Sequence, residues 1–319
     1  MAPELLITNL LHGLVGLAWL AGLRRALAPM PAGLWARLLT AALVLPPVVV
    51  GLHLLGLLPD SEAFAVLRAD LWTEHILASD AVVAVGAVLL VGTALLFVIQ
   101  ELRPVLARVE VQRHAVRVRD PELEAALDTA IAKFEAAGHR FPGRRKLYVR
   151  LLETDVPTAA VEGFVEPVVL VSRGLRRRMD SFELEAVFAH ELAHLVQGGN
   201  RRFFWVWVLR ALQAPSPFAL VTFRLLVEAR EAAADALAAE ITKKPAVLAA
   251  ALLKLRSGDS AHGDGTLARA RARVLRQAEL AATRLRVRTL LDGPGRAQAA
   301  PLVTLSAGAL LAVLLWSVV

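Results

Sequence analysis

The chain has 319 residues, 56% of them hydrophobic, and a formal net charge of +7. So apolar a composition argues against an ordinary soluble enzyme and for a protein that sits in lipid. There is no cysteine, which excludes disulfides and thiolate metal sites, and the excess of base fits a domain held against anionic lipid better than one that binds nucleic acid directly.

Residues 5–23 form an uncharged apolar run long enough to cross the hydrocarbon core. Glu4 stands where a signal peptide would carry basic residues, so the run is expected to be a retained helix. Residues 38–58, with His53 inside and Pro46-Pro47 as a kink or loosening point, read as a second span. Residues 81–99, rich in Val, Leu and Gly, read as a third, and 302–319 as a last span that ends the chain in or just across the bilayer. Loop charge orients them. The first loop carries Arg24, Arg25 and Arg37 without an acid, whereas 59–80 carries Asp60, Glu62, Asp70, Glu74 and Asp80 against Arg68. The positive-inside rule then places the first loop in the cytoplasm and the second outside, and delivers residues 100–301 to the cytoplasm. That segment is itself basic, with Arg176-Arg177-Arg178, Arg201-Arg202 and an arginine-rich run from Arg269 to Arg296.

The cytoplasmic segment reads as one α+β domain. Asp120-Pro121 opens a helix with apolar residues at Leu123, Leu127, Ile131 and Phe134, closed by Gly138. The stretches 146–153 and 167–172 are rich in Val and Leu and read as strands. Between them, Pro157, Gly163 and Pro167 predict a turn or irregular edge. An edge strand there could take up an extended peptide by strand addition; a strand that only packs the core fits the pattern equally well.

The most informative stretch is His190-Glu191-Leu192-Ala193-His194. Asp180 followed by Glu183 reads as a capping box before it, Leu184, Phe188, Leu192 and Leu195 supply a buried stripe, and Gly198-Gly199 can stop the helix. Residues four apart on a helix share a face, so two imidazoles at this spacing can hold a single Zn²⁺. Glu191 then lies beside the metal, placed to take a proton from water. A surface helix that carries two histidines by chance is the plain alternative, and a third ligand would separate the two. His12, His53, His75, His114, His139 and His262 are lone histidines, which are more often structural or solvated than ligands.

The run Ala160–Leu175, then Glu183 to His194, resembles the integral-membrane gluzincin metallopeptidases. Two families compete, the BlaR/MecR-type antirepressor peptidases and the HtpX-type and CAAX prenyl endopeptidases. The resemblance covers roughly residues 145–290. Three spans before the zinc domain and one after are similar to the BlaR type, while the HELAH wording and Thr242–Leu255 look as much like HtpX. The 319 residues are expected to hold no counterpart of the sensor domain of the β-lactam receptors, so antibiotic sensing is not carried over. In both families a downstream Glu-x-x-x-Asp helix supplies the third ligand, and Glu231-Ala-Ala-Ala-Asp235 matches it. The resemblance thus implies Glu231 as the metal ligand and Asp235 as the residue that holds a ligand histidine through its second ring nitrogen. Glu228 is the rival ligand. Asn200 stands near where these families often carry an Asp, a departure expected to bear on helix support more than on metal binding.

Residues 203–226 set hydropathy against this chemistry. The run beginning Phe203, Phe204, Trp205 and Trp207 is long enough for one crossing. A single crossing between His194 and Glu231 would hold these ligands apart by the bilayer thickness of about 30 Å. Arg210 near the middle and Pro215-Ser216-Pro217 also oppose a straight span. The segment is expected to return to its starting side as an interfacial or re-entrant pair of short helices; a hydrophobic helix buried inside the protease domain is the alternative.

The expected protein is therefore mainly α-helical and membrane-bound. It has a three-helix region over 1–100, a zincin-like α+β metallopeptidase domain over 101–300 that includes the membrane-associated 203–226, and a C-terminal helix over 301–319. It is expected in the inner membrane with its protease domain facing the cytoplasm. Glu191 would be the general base, and His190, His194 and Glu231 would hold Zn²⁺ with Asp235 behind them. The substrates would be membrane-proximal or regulatory proteins, such as a transcriptional repressor or a membrane protein. A non-proteolytic membrane scaffold or signal transducer that kept the zinc fold is the alternative from a different class, and an intact Glu191 argues against it.

Overall fold

A computed structural model describes residues 2–28, 30–59, 78–102, 116–117, 120–141, 147–163, 166–256, 280–292 and 301–317. The acid-rich stretch of the second loop, His75, His114, His262 and most of the arginine-rich run from Arg269 fall outside the described residues. The chain divides into two units: Met1–Arg108, Phe204–Arg230 and Gln298–Val319 form one, and Val109–Phe203 with Glu231–Ala297 the other.

The first unit is built of apolar helices. Helices α1 (Ala2–Ala26), α2 (Ala32–Leu54) and α11 (Pro301–Trp316) pack on one another around Leu20, Leu38, Leu39, Leu43, Leu311 and Leu315, which are all buried. Helix α2 continues through Pro46 and Pro47. His12 is buried among these helices, its Nε2 2.9 Å from the carbonyl oxygen of Leu315. This is the structural role expected of a lone histidine. Helix α3 (Asp80–Phe97), extended by a π-helical turn over Val98–Leu102, buries only Thr93 and Phe97 over its α-helical length and turns Val85, Val88 and Val91 outward. Ala32–Leu54 and Asp80–Leu102 are long and apolar enough to cross a membrane.

Residues 203–226 are not one straight helix. Helix α7 (Gly199–Leu212) stops at a turn over 213–216, and α8 (Pro217–Thr242) starts at the second proline. Arg210, costly for a span by itself, is fully buried but answered. Its Nη1 donates to the Gln213 carbonyl at 2.9 Å, its Nη2 lies 3.5 Å from Glu101 Oε1, and its guanidinium lies over the Phe97 ring at 5.3 Å. Gln213 in turn donates to the Leu43 carbonyl at 2.9 Å. Residues 204–230 group with this apolar unit, so α8 is apolar-unit helix at its start and contributes to the second unit from Glu231 onward.

The second unit is a small mixed sheet with helices. Strands β1 (Val116–Arg117), β2 (Val149–Leu152), β3 (Ala159–Glu162) and β4 (Val168–Ser172) lie in the order β1-β2-β4-β3, with β2 and β4 parallel and the outer pairs antiparallel. The stretch expected to be a turn or irregular edge therefore contains a regular strand. Pairing with β4 from Ala159↔Val171 to Glu162↔Val168 overrides the weak strand propensity of its two alanines. Gly163 ends it at φ +99°, where a Cβ would come within 2.5 Å of the Glu166 carbonyl.

Helix α4 (Pro121–Ala136) is capped by Asp120, whose side chain accepts from the amides of Glu122 and Leu123. It packs Leu123, Leu127 and Phe134 against α6 (Ser181–Val196), which α9 (Pro245–Arg256) also contacts. The short α5 (Arg173–Arg178) links β4 to α6. A further helix, α10 (280–292), puts Leu290 and Val287 on the same core. Two acids of α6 are buried and paired: Glu183 with Lys254 at 2.6 Å, and Glu185 with Lys133 and Lys244. Helix α6 is thus largely buried and contacts α4, α9 and β3, and it carries the H-E-x-x-H sequence.

Candidate metal centre

Local chemistry fixes where α6 starts and stops. Asp180 accepts from the Glu183 amide at 2.9 Å and Glu183 accepts from the Asp180 amide at 3.1 Å, the capping box expected from the sequence. Gly198 at φ +113° ends the helix, a backbone conformation that residues with a Cβ rarely adopt. Between these ends, Leu184, Phe188, Leu192 and Leu195 are buried, which turns His190, Glu191 and His194 together toward α8 and β3.

His190, His194 and Glu231 offer one ligand atom each within a span of 4.8 Å. Glu231 Oε2 lies 3.6 Å from His190 Nε2, and Oε1 lies 3.4 Å from His194 Nε2. Ligand atoms about 2.0–2.1 Å from a tetrahedral zinc stand about 3.3 Å from one another, so the donor set and its spacing both suit Zn²⁺. Glu228 is exposed and stands outside this group. One turn beyond Glu231, Asp235 faces the other nitrogen of His190, with Nδ1 2.9 Å from Oδ1. The fold therefore brings His190 and His194 of the motif together with the Glu231 and Asp235 that the resemblance implies.

Electrostatics follow from the crowding of charge. Burial works against a charge on His190, but Asp235 and Glu231 outweigh it and push the ring up to about 10. Burial would likewise raise the Glu231 carboxyl, yet the two imidazoles hold it well below the usual carboxylate range. A cation that binds between these atoms must displace the imidazole proton, so its affinity rises with pH. Glu191 is raised, chiefly because it is packed round with protein, although His190 and His194 pull it back. A raised carboxylate is a stronger base, as proton abstraction from water requires.

Three contacts are not legible in the sequence. Glu191 Oε2 accepts from the Val161 amide on edge strand β3 at 3.0 Å, and Asn200 Nδ2 donates to the Val161 carbonyl at 2.6 Å. Asn200, in sequence only a departure from the families' pattern, thus ties the first turn of α7 to the strand beside the site. The third is Arg286 of α10, whose guanidinium meets both Asp235 and Glu231. It lies on a buried stripe with Thr283, Val287 and Leu290, while Arg284 and Arg288 are exposed. Those apolar positions are the one hint of it.

Comparison with known proteins gives the family. Residues 65–277 match the family described as BlaR1 peptidase M56. The match covers most of the chain, and the protein belongs to this family of membrane peptidases. It is also 31% identical to Protease HtpX homolog 1 of Streptomyces coelicolor, over 44% of this chain and 55% of that protein. It is 32% identical to Protease HtpX homolog 2 of Methanosarcina mazei, over 34% of this chain and 49% of that one. The chain spans about half the length of these curated relatives. Both families that the sequence resembles are therefore represented.

Proposed function

We propose that the protein is a zinc-dependent membrane endopeptidase. The observation that carries this reading is the convergence of His190, His194 and Glu231 on one point, with Glu191 beside them. Zn²⁺ held by these three residues would supply Lewis acidity, polarising the scissile carbonyl and acidifying the attacking water. Glu191 accepts the proton of that water and passes it to the leaving amine. Asp235 fixes the His190 ring so that Nε2 faces the metal position. Strand β3 is the sheet edge beside α6, and an extended substrate laid along it, displacing Glu191 and Asn200 from Val161, would bring its scissile bond to Glu191.

Four helices, α1, α2, α3 and α11, cross the inner membrane in this reading, and the sheet-bearing unit faces the cytoplasm. Substrates are then membrane-proximal or membrane-embedded chains, or a regulatory protein such as a repressor. Zinc content and cleavage of casein or of the protein itself, in wild type and Glu191→Gln, test the enzyme. The variant is expected to keep its zinc and to lose turnover by about 10²–10⁴-fold, because it keeps the ligands and lacks the base. Retained peptidase activity in Glu191→Gln would sink the mechanism, whereas a zinc-loaded wild type that cleaves neither substrate would favour the scaffold. Cysteines placed at Ser61 and Ser181 test the orientation: on intact cells an impermeant thiol reagent should label the first and spare the second. Labelling at Ser181 would turn the domain over.

A further inference from the structure

Arg286 has no part in the proton transfers above, and it lies beyond the stretch that matches the peptidase family. All three of its guanidinium nitrogens nevertheless meet the site's carboxylates. Nε donates to Asp235 Oδ2 at 2.6 Å and Nη2 to Asp235 Oδ1 at 2.8 Å, a two-point grip, while Nη1 lies 3.0 Å from Glu231 Oε2. Asp235 Oδ1, held in this way, is the oxygen that faces His190 Nδ1. One guanidinium therefore stands behind two of the three metal-facing side chains: Glu231 directly, and His190 through Asp235.

Two effects of this cation on a metal oppose each other. By charge alone, a guanidinium so close to the ligands repels a divalent cation, and its removal would tighten binding. By geometry, it fixes which way the Glu231 carboxylate is turned. Both Glu231 oxygens face imidazoles, but only Oε2 is also held by Arg286, which leaves Oε1 as the freer oxygen to turn toward a metal. Charge balance also limits the repulsion. Glu191, Glu231 and Asp235 against Arg286 leave two negative charges with both histidines neutral, which a divalent cation cancels; without Arg286 three acids would crowd the site with only the imidazoles to hold them apart.

We propose that Arg286 is a positioning residue of the metal centre, orienting Glu231 as a one-oxygen ligand and bracing Asp235 against His190. This rests on the zinc reading above. A device of this kind makes metal retention depend on a helix that lies 51 residues from Asp235 in sequence and carries no ligand of its own.

The test uses the full chain in detergent, with zinc affinity measured by competition against a chromogenic chelator at fixed pH. Arg286→Ala is expected to bind zinc about 10–100-fold more weakly, the usual cost of losing a partner behind the ligands. Arg288→Ala, which loses only an exposed pair with Asp292, should match wild type. Arg286→Lys brings the charge without the fork and should fall between them. Millimolar guanidinium should restore affinity to Arg286→Ala and leave wild type unchanged. Thermal unfolding of the metal-free proteins checks that they fold; should Arg286→Ala fail there, the lysine variant carries the test. Zinc binding in Arg286→Ala as tight as in wild type, or tighter, would overturn the proposal, as would Arg286→Lys equal to wild type. A wild-type chain that binds no zinc would bring down the metal reading and this role with it, whereas wild-type binding with indifferent variants would overturn the role alone.

Discussion

Arg210 and Arg286 are both largely withdrawn from solvent and both face carboxylates, one in each unit, yet they are held very differently. Arg286 has a carboxylate oxygen at 3.0 Å or less on each of its three nitrogens. Arg210 has one acid at 3.5 Å, one carbonyl and the face of Phe97, and its Nε and Nη2 are buried without a hydrogen bond among the described residues. The difference follows from what each charge has to do. A cation that holds two carboxylates in register must saturate its fork, because direction is what it transmits. A cation that only has to exist among apolar helices needs one counter-charge and a polarisable ring, since each is strong where no water competes. The first arrangement aims ligands; the second ties helices together.

Removal of the acid on each side breaks the comparison most severely. Glu231→Ala takes a ligand away and should empty the purified protein of zinc, where wild type holds about one ion per chain. Asp235 still answers Arg286 in that variant, so the metal-free fold should persist. Glu228→Ala, three residues earlier and exposed, should keep its zinc. Metal content by elemental analysis decides between them, and the opposite pattern would mean that the ligand was wrongly chosen though the site stands.

The same cut in the apolar unit should strike stability and spare the metal. Arg210→Ala takes the ion-pair partner from Glu101 and leaves Arg224 as its remaining cationic neighbour, so the cost should reach at most the about 3–5 kcal/mol of a broken buried pair. Arg210→Met together with Glu101→Leu removes both charges and should recover most of that loss, because neither desolvated group remains. Thermal unfolding in detergent reads the stability and chelator competition reads the zinc. If the double variant is as unstable as the single one, the pair is holding a specific helix arrangement rather than cancelling a charge. Loss of zinc in Arg210→Ala would show that the two arginines are not separate devices.

How much of this is legible in the sequence depends on how far apart the partners lie. His190 and His194 can be paired because one helical turn fixes their separation, and the Asp120 and Asp180 caps because each serves amides two or three residues on. Glu231 and Asp235 come by resemblance, their helix being recognisable although its meeting with α6 is not written in any local pattern. Strand β3 escapes the sequence because its pairing with β4 is made by the fold and not by Ala159-Ala160. Arg286 escapes it because its partners lie 51 residues and more back along the chain, and neighbouring arginines make it look like one more basic residue facing lipid. For Arg210 the sequence declares the cost and keeps silent about Glu101, which lies on another helix.

A third arginine, half in water, sharpens the comparison at its weak end. Arg176 donates from Nε to Asp120 Oδ2 at 2.9 Å and also meets Glu122, while Asp120 Oδ1 caps α4. Burial tends to raise the Asp120 carboxyl, but Arg176 and the two capping amides outweigh it, so its pKa is lowered. A carboxyl depressed in the folded state adds stability that is present above its unfolded pKa and is lost as pH falls through the folded one. Asp120→Ala removes both cap and ion pair and should cost about 1 kcal/mol, mostly from the cap. Asp120→Asn keeps an acceptor for the amides and loses only the charge, so it should cost a few tenths of a kcal/mol, as half-exposed pairs do. The gap between wild type and Asp120→Asn should be full near neutral pH and close from about pH 4 downward, as the wild-type carboxyl takes up its proton. Unfolding curves of the three proteins across that range separate the contributions. A gap that survives in acid would mean that the asparagine fails as a cap, and that the charge of Arg176 had little to do with the difference.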